Sequence, residues 1–119
     1  GRGHNQVTLN NDPSAHAEIV AIRDACKTLN NFELTGCTIY ASCEPCPMCM
    51  SAIYWARIQR VVYAASGEDA AEAGFDDSLF AEEICKPYSE RSITSEHCEC
   101  QRQSLSFEHW QKKDDKIKY

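Results

Sequence analysis

The sequence predicts an α/β fold in which short apolar strands alternate with helices. Three observations predict it. Ala15, Ile19, Ile22, Cys26 and Leu29 recur at helical spacing. "CTIYAS" at 37–42 and "RVVYAA" at 60–65 are short apolar runs of strand character. Between them "MCMSAIYWAR" at 48–57 reads as a helix, so the two strands are joined by a connection long enough for a parallel crossover.

The elements follow in order. "HNQVTL" at 4–9 reads as a short strand, and "NNDP" at 10–13 carries turn chemistry. Asp12 or Ser14 can cap the next helix, with Pro13 in its first turn where a missing N–H costs nothing. Ala17, Val20, Ala21 and Ala25 widen that helix's apolar stripe, which predicts deep burial, and "NN" at 30–31 ends it. After "CTIYAS", Pro45 and Pro47 bar a helical start any earlier. "RVVYAA" is bounded by Gly67, and "EDAAEA" at 68–73 forms a third helix stopped by Gly74. "FDDSLFAEEI" at 75–84 holds a helical turn, and residues 89–104 are polar and ambiguous. Ser106 can cap a last helix through "FEHWQKK". No repeat, low-complexity tract or linker divides the chain, so residues 1–119 read as one domain.

Composition narrows the function. A chain of 119 residues, 43% hydrophobic, can bury a core without covalent staples. Its eight cysteines therefore argue for a reduced, cytoplasmic protein rather than a disulfide scaffold. Cys26 and Cys37 read as small apolar packing residues, while Cys85, Cys98 and Cys100 suggest no role. The net charge is −6 and the twelve Lys and Arg are scattered, which disfavours duplex or tRNA binding and favours a small-molecule partner. No apolar run approaches the roughly 20 residues of a membrane span, and no signal pattern is present. The chain opens on Gly1 directly into sequence that reads as structured, so a preceding N-terminal piece is expected.

In a parallel crossover layout the helix N-termini gather along one sheet edge, where open α/β sheets bind ligands. That brings together "HAE" at 16–18 and "CEPCPMC" at 43–49. One imidazole and two thiolates suit a zinc ion that keeps a fourth position open for water. A helix tip favours thiolate through its exposed N–H groups. Glu18 is placed to take a proton from that water. Side chains two apart on a helix diverge by about 200°, so His16 and Glu18 can share a centre only off the helix tip. Alone, H-x-E and C-x-x-C are weak signals; in this order, with Pro45 before the first ligand cysteine, they form a deaminase signature. The competing reading is a closed structural site with Cys43 as fourth ligand. Glu44 reads as a loop brace, and His4, His97 and His109 as surface residues.

"DPSAHAEIVAIRDAC" and "YASCEPCPMCMSAIYWAR" resemble the cytidine-deaminase-like zinc deaminases, and "AAEAGFDDS" with Tyr119 brings the chain closer to the bacterial guanine deaminases. The resemblance implies a three-layer α/β/α fold, with a mixed central sheet and helices on both faces. It implies an N-terminal helix and strand ahead of Gly1. It makes His16, Cys46 and Cys49 the zinc ligands and Glu18 the proton shuttle. Asn5 would hydrogen-bond the base, with Ala17 offering backbone contact. Asp77 would contact the purine near its leaving amino group, though spacing alone does not separate it from Asp76. Tyr119 would close over the pocket, and Trp55 either lines it or belongs to the core. The implied reaction is hydrolysis of guanine to xanthine and ammonia in purine catabolism or salvage, by a homodimer exchanging segment 105–119. Guanosine deamination, and less so tRNA adenosine deamination, are the alternatives.

Overall fold

The computed structural model describes residues 1–118. In chain order the elements are helix α1 (Val7–Asn10), α2 (Ala17–Leu29), strand β1 (Thr38–Cys43), α3 (Pro47–Trp55), β2 (Arg60–Ala65), α4 (Gly67–Glu72), α5 (Ser78–Cys85) and α6 (Leu105–Lys112), with a 3-10 turn at Tyr88–Glu90 before the last. The fold is α/β. Among the described residues the sheet is the parallel pair β1–β2, in the register Thr38↔Arg60, Ile39↔Val61, Tyr40↔Val62, Ala41↔Tyr63 and Cys43↔Ala65. Helix α3 makes the crossover between them, as parallel pairing requires.

The core lies where α2 and α3 meet the sheet. Ala15, Ile19, Leu34, Ile39, Cys49, Ile53 and Ala56 are buried, with Cys49 and Ile53 fully enclosed. Ala15 and Ile19 come from the predicted stripe and Ile39 from β1, while Ile22 and Cys26 of that stripe are half-buried and Leu29 is exposed. The Leu34 N–H donates to the Ala56 carbonyl at 2.7 Å, fastening the strand approach to the end of α3.

Four expectations are corrected. Residues 4–9 hold no strand: Asn5 Oδ1 accepts from the Val7 N–H at 3.0 Å, and Val7–Asn10 coil into the one-turn helix α1. Asn11, at φ 50°, closes that turn in the left-handed region where asparagine is tolerated. Neither Asp12 nor Ser14 caps α2. Asp12 Oδ1 instead accepts from the Ser14 N–H at 2.8 Å and its hydroxyl at 2.6 Å, which ends in a turn and leaves His16 as the capping position. Nor is α2 deeply buried, since Ile19 is its single buried residue and Leu29 is 58% exposed. The last helix begins after Ser104 rather than Ser106.

The Ala17, Ala21 and Ala25 face of α2 has a different use. Residues Gly1–Gly3 lie so close against it that a Cβ on Gly1 would collide with the Ala21 carbonyl, and one on Gly3 with that of Ala17. Arg2 N–H donates to Asp24 Oδ2 at 2.8 Å and holds the segment there. Beyond Ala56 no described residue is buried. The radius of gyration is 17.5 Å, against about 13.5 Å for a compact domain of this length. No helix among the described residues is long and apolar enough to cross a membrane.

Candidate metal centre and cleft

The site forms at two helix tips. His16 is the N-cap of α2, with extended backbone at φ −66°, ψ 157°, and Glu18 is two residues on in the first turn. Because His16 stands outside the helix, the angular objection to its sharing a centre with Glu18 falls away. Cys46 is the N-cap of α3, at φ −61°, ψ 166°, followed by Pro47 at a position where a missing N–H is harmless. The Cys49 N–H donates to Cys46 Sγ at 3.5 Å, so the first turn of α3 folds its two thiols toward one point. That point faces His16.

His16 Nδ1 lies 3.6 Å from Cys46 Sγ. The ligand atoms of His16, Cys46 and Cys49 all lie within 4.8 Å of one another. Tetrahedral zinc with the usual Zn–N and Zn–S bonds would set an N···S edge of about 3.6 Å, which the His16–Cys46 pair matches. The donor set fits as well. Burial, followed by the negative charge of Glu18 and then Cys46, pushes the Cys49 thiol far above the ordinary thiol range. The thiol meanwhile donates to Glu18 Oε2 at 3.4 Å. With the thiol ionised, the two negative groups would need a cation nearby, and a divalent ion held by His16, Cys46 and Cys49 would supply that charge.

Cys43 is not part of the group. It ends β1, and its thiol donates to the Ser66 carbonyl at 3.6 Å. Among the described residues, His16, Cys46 and Cys49 alone form such a cluster, so a four-ligand closed site with Cys43 is not preassembled.

The cluster opens on a cleft of about 1570 Å³. Asn5, His16, Ala17, Glu18, Cys46, Asp76 and Asp77 all line it. Residues Asp76 and Asp77, which spacing alone leaves equivalent, differ in the structure. Asp76 Oδ1 accepts from the Ser78 N–H at 2.9 Å, and bonding to Ser78 holds its carboxyl below the usual range. Asp77 is the N-cap of α5 without a side-chain capping bond, and it is half-buried where Asp76 is exposed. Gly74 at φ 90° makes this presentation possible. Its N–H bonds the Ala71 carbonyl and the Phe75 N–H bonds that of Ala70, a glycine-closed helix end that turns the chain into the cleft. Phe75 and Phe80 also line the cleft.

Trp55 does not line this cleft. It lies in a separate groove with Ile19, Ile22, Phe32 and Ile117, on another face of α2, and is 62% exposed. Tyr119 lies outside the described residues.

The family model for the cytidine and deoxycytidylate deaminase zinc-binding region matches residues 1–65. A guanine deaminase from Bacillus subtilis (strain 168) is 51% identical over 117 residues, 98% of this chain and 75% of that protein. A tRNA-specific adenosine deaminase from Buchnera aphidicola subsp. Schizaphis graminum is 41% identical over 80 residues, covering 67% of this chain and 53% of its own. An X-ray structure of the Bacillus subtilis guanine deaminase matches with a TM-score of 0.95 over 98% of this chain and 74% of that one. A structure from work on A-to-I editing by tRNA:A34 deaminases reaches 0.51 over 52% and 45%. Both metal motifs fall inside the matched region, and the chain belongs to the zinc-dependent family of cytidine and deoxycytidylate deaminases.

Proposed function

We propose that the chain is a zinc-dependent aminohydrolase that converts guanine to xanthine and ammonia. The observation that carries this is the likeness to the Bacillus subtilis guanine deaminase, 51% identical and with a TM-score of 0.95 over 98% of the chain. The tRNA-editing structure matches over only 52% of it, and the acidic balance of the chain also disfavours tRNA.

In this reading His16 Nδ1 and the thiolates of Cys46 and Cys49 hold zinc. When bound, the ion supplies the acidity that lets a water ionise near neutral pH. Glu18 takes the proton through Oε2, passes it to purine N3, and helps deliver a proton to the departing amino group. Overall a C–O bond forms at C2, the C2–N bond breaks, and water and guanine become xanthine and ammonia. Asn5 commits Oδ1 to the Val7 N–H, so its amide offers the base its Nδ2 donor. Ala17 offers its backbone N–H beside it, and Asp77 accepts from the amino group at C2.

The cleft is larger than the roughly 300–1,000 Å³ of a small-ligand pocket, so a base needs a further wall to be gripped. Tyr119 supplies it in this reading, as part of a segment at about 105–119 exchanged between the subunits of a homodimer. Exposed apolar residues in that segment support the exchange, with Phe107 at 69% and Ile117 at 68% exposure. Trp55, beside Ile117 in the outer groove, then belongs to the subunit contact. Eight unpaired cysteines support a reducing, cytoplasmic setting. Cleft size favours guanosine as the second reading, since it has room for a ribose.

The test is ammonia release from guanine, guanosine, adenine, adenosine and cytosine, with zinc measured in the same sample. Guanine turning over fastest is the expected result. A preference for guanosine or adenosine would replace the substrate, and zinc-loaded protein inert on all five would remove the reading.

A further inference from the structure

Helix α4 ends where the cleft's carboxylates begin, so its position sets theirs. Its six residues span about 9 Å and are closed at both ends. At the start, Ser66 Oγ accepts from the Asp69 N–H at 3.2 Å while Asp69 Oδ2 accepts from the Ser66 N–H at 2.8 Å. At the far end stands the Gly74 closure, directly before Phe75, Asp76 and Asp77. Such a rod transmits a displacement of its first residue to its last. Yet α4 buries no residue fully, its Ala70 and Ala71 being half-buried, so core packing holds it weakly.

What does hold it is the chain leading to the metal ligands. Glu44 extends the β ladder by donating its N–H to the Ala65 carbonyl at 2.9 Å. Cys43 Sγ donates to the Ser66 carbonyl at 3.6 Å. Glu44 Oε2 then accepts from the N–H of Gly67, the first residue of α4, at 3.0 Å. Two residues after Glu44 comes Cys46.

We infer that Glu44 is a positioning residue whose carboxylate, by gripping the Gly67 N–H, fixes the separation between the metal-side loop and the Asp77 segment. The consequence for turnover rests on the deaminase reading; the mechanical tie does not. Glu44 touches neither the reacting atoms nor the ligand atoms in this role.

The tie can be cut from either side. Glu44→Ala removes the acceptor. Gly67→Pro removes only the donor, at a first-turn position that suits proline, after a Ser66 already extended at φ −81°, ψ 170°. Glu44→Gln keeps an acceptor. Gly67→Ala keeps the N–H, and its added Cβ meets only Glu44 Oε2, at an ordinary 3.6 Å. With equal zinc in all four variants, amide exchange across residues 68–77 should be about tenfold faster in the two cut variants than in the two tied ones. Their kcat on guanine should be about tenfold lower, without Gly67→Pro melting below Gly67→Ala. Equal exchange in both pairs overturns the inference. So does faster exchange with equal kcat, which would make Glu44 a stability brace alone. If the parent chain releases no ammonia from guanine, the substrate reading fails and the exchange comparison still decides the tie.

Discussion

His16 Nδ1 lies 3.6 Å from Cys46 Sγ, although 30 positions of chain separate the two residues. Each is the N-cap of its helix, with extended backbone and a side chain turned off the helix tip. The parallel crossover through α3 brings the two tips to one sheet edge. A metal-sized gap follows from that juxtaposition.

Exchanging a ligand thiol should therefore differ sharply from exchanging its neighbour. Cys46→Ser and Cys49→Ser are expected to lose zinc and turnover together. Cys43→Ser should retain one zinc per chain, because its thiol faces the Ser66 carbonyl. Metal analysis of the three purified variants checks this, and loss of zinc from Cys43→Ser would restore the four-ligand alternative.

Glu18 contacts the ligand thiol of Cys49 at 3.4 Å but stands outside the ligand set. Glu18→Ala should keep zinc and lose kcat by about 10²–10⁴, the usual contribution of a general acid–base group. A variant that still released ammonia at the parent rate would remove Glu18 from the proton path.

The two neighbouring aspartates should separate. Asp77→Asn is expected to lower kcat/KM on guanine by ten-fold or more, on the order of one charge-assisted hydrogen bond. Asp76→Asn should lower the melting temperature slightly while kcat/KM stays close to the parent value, because its carboxylate serves the Ser78 N–H and hydroxyl near the start of α5. Steady-state kinetics beside thermal melts distinguishes them, and the opposite pattern would reverse the assignment.

Acid should loosen the chain after α5 in a defined window. The Glu83 carboxyl is held down to about 2, from an ordinary 4.5, by Lys86 at 2.6 Å and by the N–H and hydroxyl of Ser92. A carboxyl lowered in the folded state contributes stability above its unfolded value and loses it as pH falls toward the folded one. The protection of the Ser92 amide, exchange taken relative to its intrinsic rate at each pH, should thus fall from about pH 4.5 down to about 2. Glu83→Gln should exchange faster at neutral pH and show a weaker acid dependence.

Arg57 follows α3 at φ 59°, a left-handed conformation that favours glycine, and its N–H bonds the Tyr54 carbonyl at 3.0 Å. Arg57→Gly keeps that bond and relieves the Cβ strain. It should stabilise the fold by roughly 0.5–1 kcal/mol, read as a higher melting temperature with unchanged zinc content. A lower melting temperature would show that the arginine side chain matters more than its backbone.

Local chemistry by itself determined much of this protein. Proline at position 47 and the apolar runs at 37–42 and 60–65 mark where helix and strands form, because missing N–H groups and side-chain shape act within a few residues. The ligand residue types, their C-x-x-C spacing and the carboxylate two after the histidine are likewise local. The tertiary structure decided that no strand among the described residues meets Val7–Asn10, which Asn5 and Asn11 then close into a local turn. It also decided that His16 meets Cys46 across 30 positions of chain and that Trp55 lies outside the cleft. These depend on which groups meet across the fold. A hydrogen bond spends a lone pair or a proton on one partner, and adjacent residues of the same type differ only in which partner they reach.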